Sequence, residues 1–63
     1  MHPLSVAQAK TYISLGNSYQ GQGDLDKASE CYHRSLKLAK KAGDPASQAR
    51  ALDCIGECVK ECE

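Results

Sequence analysis

The sequence predicts an all-α protein: an antiparallel helical hairpin followed by a third helix, together one and a half units of an α-solenoid. Three observations carry this reading. Apolar and small residues recur at helical spacing in three stretches, turn residues at Gly21 to Asp24 and Gly43 to Pro45 separate them, and the third stretch repeats the first. A chain of 63 residues forms one small unit over residues 1–63, and buries only roughly 60% of its unfolded surface.

The first helix is expected from about residue 5 to about residue 20. It has two candidate starts: Pro3 at a first helical position, or Ser5 as an N-cap with Gln8 three residues on. Tyr12, Leu15 and Tyr19 fall on one side and form the expected contact face. Gly16 lies beside them and lets a second helix come close, with Ala28 as the small residue expected to meet it. Gly21, Gln22 and Gly23 then lower helical propensity enough to end the element.

The second helix is expected over about residues 25–42, capped by the Asp24 carboxylate, with Asp26 favourable in its first turn. Leu25, Ala28, Tyr32, Ser35, Leu36 and Ala39 make its inner stripe. Lys27, Glu30, Arg34, Lys37 and Lys41 are expected in water. Lys40 and Lys41 followed by Gly43 mark its end.

Asp44 as a cap and Pro45 at a first helical position start the third helix, expected over about residues 45–61. Set forty residues apart, Gln8 matches Gln48, Ala9 Ala49, Lys10 Arg50, Tyr12 Leu52, Leu15 Ile55, Gly16 Gly56 and Tyr19 Val59. The third helix is the first one again.

The pattern Tyr12-x-x-Leu15-Gly16-x-x-Tyr19, then Ala28-x-x-x-Tyr32, resembles the two helices of a tetratricopeptide repeat. The forty-residue spacing, the Gly-Asp linker and the Ala-Arg-Ala-Leu run at 49–52 are similar to the longer repeats of Pins/LGN-type scaffold proteins. Ser35 departs from the usual Ala, and Lys40 stands where shorter repeats have Pro. The resemblance implies a protein-interaction module or scaffold piece whose first-type helices line a groove for a peptide or partner segment. By register the groove residues are Lys10, Ile13, Asn17 and Gln20 on the first helix, and Arg50, Asp53, Glu57 and Lys60 on the third, beside the packing positions. Simple solvation of charged helix faces is the competing reading for each of them. The basic pair Lys10 and Arg50 suggests an acidic partner. The family's carboxylate clamp for chaperone C-termini is rejected: Asn17 fits, but Ile13 replaces the lysine and Cys54 the second asparagine.

Other function classes are disfavoured. With 8 basic and 8 acidic residues the chain has no electrostatic footprint for nucleic acid or an anionic membrane. No apolar run spans a bilayer, and the first residues lack a secretion signal, so a cytoplasmic protein is expected. Cys31 and His33 cannot act as nucleophile and base, because residues two apart on a helix point about 200° apart. Neither an enzyme nor a cofactor is expected.

The alternative function is a thiol-based metal site using Cys31, Cys54, Cys58 and Cys62. The last three recur every fourth residue along one slowly turning stripe. Structural zinc sites usually have a close C-x2-C pair on a loop, which is missing here, so reduced cysteines in small-residue positions are expected and no metal ligand is assigned. Cys62 and the two histidines, His2 and His33, are expected in solvent.

Leu52, Ile55, Gly56 and Val59 on the third helix are spaced to meet a second helix of its own repeat. A homo-oligomer through this helix is therefore expected. It forms either by face-to-face packing or by a swap in which the 43–45 linker straightens.

Overall fold

The computed structural model describes residues 3–62, with side chains at residues 4–61. Three helices follow one another: α1 (Pro3–Gly21), α2 (Leu25–Ala42) and α3 (Pro45–Cys62). Among the described residues there is no strand, and no helix is long and apolar enough to cross a membrane. Short connections make successive helices antiparallel, so α1 and α2 form a hairpin and α3 returns against α2. α1 and α3 meet only sparsely.

The same device builds both connections. Gly23 (φ 84°) and Gly43 (φ 70°) take the left-handed conformation in which glycine has no Cβ penalty. Around the first, Gly23 N–H donates to the Gln20 carbonyl (3.0 Å) and Asp24 N–H to Tyr19 (2.9 Å). Around the second, Gly43 donates to Lys40 and Asp44 to Ala39, both at 3.1 Å. Each pair is a Schellman closure that satisfies the last carbonyls of the preceding helix. The Asp24 carboxylate then accepts from Lys27 N–H (3.3 Å) and caps α2 as expected. The Asp44 carboxylate instead accepts from Ser47 Oγ (2.6 Å), just inside α3.

α1 takes the earlier of its two expected starts, ends one residue past Gln20, and differs from its expectation in its buried face. It starts by Pro3, which places Ser5 inside the helix and buried, so Ser5 is not its cap. Its buried stripe is Ser5, Ala9, Ile13 and Gly16, whereas Leu15 is 43% exposed and Tyr12 and Tyr19 are half-buried. The small residues make the contact because they let the helices approach. Ile13 apart, the larger residues Tyr12, Leu15 and Tyr19 lie along one edge of this stripe, where they line a groove against α2.

On α2 the inner stripe is as expected, with Ala28, Tyr32, Ser35 and Ala39 buried and Leu25 and Leu36 half-buried. Lys27, Glu30, Arg34, Lys37 and Lys41 are exposed. The stripe also includes Cys31 and Ala42. Tyr32 is the centre of the core, fully buried with Ala28 and Cys58, and packed by Tyr19, Leu25, Cys54 and Ile55. It is Tyr32, not Ala28, that fills the space left by Gly16: a Cβ on Gly16 would lie 2.8 Å from its Cδ1. Ser35 is fully buried and donates to the Ala9 carbonyl (2.8 Å), joining α2 to α1. Cys58 Sγ–H donates to the Leu25 carbonyl (3.4 Å), joining α3 to α2.

α3 buries Ser47, Ala51 and Cys58, with Gln48, Cys54 and Ile55 half-buried. Its counterparts of the α1 stripe, Ala49, Asp53 and Gly56, are all exposed.

Candidate functional site

Where α1 and α3 meet only sparsely, a groove of about 360 Å³ opens between them beside the α2–α3 connection. It is lined by Lys10, Ile13, Asp44, Ala46, Ser47 and Arg50. Lys10 and Arg50 are exposed on its rims. Among the described residues the ion pairs are Lys27 with Asp24 and Arg34 with Glu30, so neither rim cation is neutralised by a salt bridge. Ile13 is 6% exposed and belongs to the packed stripe of α1. This corrects the expectation that it stands beside the packing positions; it is an apolar floor under two cations.

Asn17 and Gln20 lie further along α1 and are tied to the core. Both amide oxygens sit within reach of the buried Tyr32 hydroxyl, which donates to Asn17 Oδ1 at 2.7 Å and Gln20 Oε1 at 2.6 Å. A phenol has one proton, so it serves one oxygen at a time, and the other amide is satisfied by turning its NH₂ to the phenol lone pair. Burial pushes the Tyr32 phenol up to about 12, with Cys54, Cys58, Glu57 and Glu61 adding to the rise.

Asp53, Glu57 and Lys60 are exposed on α3 and do not line the groove. The structure thus brings together Lys10, Ile13 and Arg50 from the expected set, assigns Asn17 and Gln20 to holding Tyr32, and leaves the other three on α3. Of the residues spaced to meet a further helix, Leu52 and Val59 are 55% and 51% exposed. A Cβ on Gly56 would meet nothing within 4 Å. Ile55 is half-buried against the Tyr32 cluster and so belongs largely to the core.

The thiols do not converge. Cys31 is buried between α1 and α2 near Tyr12, Leu15 and Tyr19, whereas Cys58 is buried on the α3 side of Tyr32 and Cys54 is half-buried on α3. Burial pushes both the Cys31 and Cys54 thiols up, seconded by Glu30 and Glu57 respectively, which favours the protonated thiol over the thiolate. Among the described residues no three His, Cys, Asp or Glu side chains are placed to hold a metal ion. The Cys62 side chain and His2 lie outside the described residues. His33 is exposed and donates from Nδ1 to the Ser29 carbonyl (2.8 Å), turned away from the buried Cys31.

A second groove, of about 260 Å³, was not foreseen from the sequence. It runs between α1 and α2, with Leu15 and Cys31 among its lining residues. Lys27 Nζ lies 5.6 Å from the Tyr19 ring centre and Arg34 Cζ 6.0 Å from that of Tyr12. The spacing of Tyr12 and Tyr19 against Lys27 and Arg34, each seven apart, was the available signal.

The family model described as Tetratricopeptide repeat matches residues 9–41, just over half of the chain. No curated protein and no solved structure matches.

Proposed function

Because the chain belongs to the tetratricopeptide repeat family, whose modules generally mediate protein–protein interaction, we propose that it holds a peptide in the groove between α1 and α3. The single observation that carries this is the pairing of two cations without salt bridges, Lys10 and Arg50, with the apolar floor of Ile13. Such a groove favours an extended segment with an acidic residue next to an apolar one. The guanidinium of Arg50 offers a planar fork to the carboxylate, Lys10 adds a point charge, and Ile13 receives the apolar side chain. The forty-residue spacing of Gly16 and Gly56 supports a place among the Pins/LGN-type scaffolds. A cytoplasmic site of action is part of the same proposal and is read by imaging the tagged chain.

Selection from a displayed library of short peptides tests the groove. The wild type enriches sequences with Asp or Glu beside an apolar residue, and Arg50→Glu weakens the selected peptide about tenfold with unchanged helix content. Equal affinity of the two proteins for that peptide removes Arg50 from the site.

We also propose that the chain self-associates through α3, a reading supported by the exposure of Leu52 and Val59 on either side of Gly56.

A further inference from the structure

The open side of α3 is self-complementary about Gly56. At 3.6 residues per turn, Ala49, Leu52, Asp53, Gly56, Val59 and Lys60 share one face, and all six are exposed. Gly56 lies at its middle with open space above it. The face is divided lengthwise: Leu52 and Val59 run along one edge, Asp53 and Lys60 along the other. Neither Asp53 nor Lys60 forms a salt bridge within the described chain.

Positions along the axis match as well. With a rise of about 1.5 Å per residue, Asp53 lies about 4.5 Å before Gly56 and Lys60 about 6 Å after it. Leu52 and Val59 lie about 6 Å before and about 4.5 Å after. A two-fold axis at Gly56 that reverses the second helix sets like edge against like edge. Lys60 of the second copy then stands opposite Asp53, and Val59 of the second copy opposite Leu52. A parallel pair would set the charged edge against the apolar one and strip water from Asp53 and Lys60 without giving them partners.

We infer that the occupant of this face is a second copy of the chain, in an antiparallel two-fold pair of α3 helices centred on Gly56. The inference rests on the self-association reading and adds its geometry: two Asp53–Lys60 ion pairs, two Leu52–Val59 contacts, and a close crossing where neither backbone carries a side chain. One helix pair is a small interface, so the dimer is weak and concentration-dependent.

Sedimentation equilibrium in reductant, from about 10 µM to about 1 mM, tests it with three variants. Gly56→Glu places like charges together on the two-fold axis and raises the dissociation constant at least about tenfold, while open space at that position keeps the monomer helical. Asp53→Lys faces Lys60 of the second copy and weakens the dimer about tenfold. The double variant Asp53→Lys/Lys60→Asp restores the opposite charges and returns to within about threefold of wild type. A wild type that stays monomeric across the range removes self-association and the pair with it. A dimer equally tight in Gly56→Glu and Asp53→Lys leaves self-association standing but overturns this pair, which is also the outcome if α3 is exchanged between chains through the 43–45 linker.

Discussion

α1 and α3 carry the same residue pattern forty positions apart and bury opposite sides of it. In α1 the stripe Ala9, Ile13 and Gly16 is buried while Ala7, Thr11, Ser14, Leu15 and Ser18 are exposed. In α3 the counterparts of the first set, Ala49, Asp53 and Gly56, are exposed. The counterparts of the second, Ser47, Ala51, Cys54, Ile55 and Cys58, are buried or half-buried. A repeat of this kind therefore encodes two contact faces per first-type helix, and α2 covers one of them on α1 and the other on α3. Tyr32 lies where the two coverings meet, under Gly16 on one side and beside Cys58 on the other.

The largest effect expected on this arrangement comes from ionising Tyr32. Its phenol is raised from an ordinary 10.0 to about 12 by burial and then by the Cys54, Cys58, Glu57 and Glu61 charges. A raised folded value means the native state holds its proton longer than the unfolded chain does. The associated stability is therefore fully present below pH about 10 and is lost as pH rises towards about 12. At 1.36 kcal/mol per pKa step this is about 3 kcal/mol. Urea denaturation across that window should show wild type falling relative to Tyr32→Phe, which has no phenol to ionise. Parallel curves would place Tyr32 in a wetter site than the shared core of α1 and α3.

A smaller effect separates the two faces directly. Leu15 and Ile55 are matched in the repeat, yet Leu15 is exposed and Ile55 packs on the Tyr32 cluster. Ile55→Gln should cost about 2 kcal/mol and Leu15→Gln less than about 0.5 kcal/mol in chemical denaturation. Equal costs would mean that α1 and α3 are covered alike.

The connections and α2 were legible because each rests on local chemistry: glycine at a positive φ, aspartate after it, and a stripe of small residues with Tyr32 set against lysines and an arginine. The buried face of α1 was not. Its apolar residues lie nearly all round it, and its bulkiest set, Tyr12, Leu15 and Tyr19, lies to one side of the buried stripe. The hairpin closes on Ala9 and Gly16, with Ile13 buried beside them, since the missing side chain at Gly16 permits the approach that Tyr32 needs. In the groove, Lys10 and Arg50 followed from the register, but the burial of Ile13 depends on the same choice of face. The tie of Asn17 and Gln20 to Tyr32, and of Ser35 to the Ala9 carbonyl, are long-range bonds with no local sequence signal.

Replacing the two matched glycines by alanine, each measured by urea denaturation at low micromolar concentration, tests the opposite covering of α1 and α3 most directly. Gly16→Ala forces a Cβ against a ring that is buried and held by Asn17 and Gln20, so the protein should lose about 2 kcal/mol despite the gain in helix propensity. Gly56→Ala meets nothing and should gain about 1 kcal/mol from propensity alone. Changes of the same sign at both positions would contradict the account.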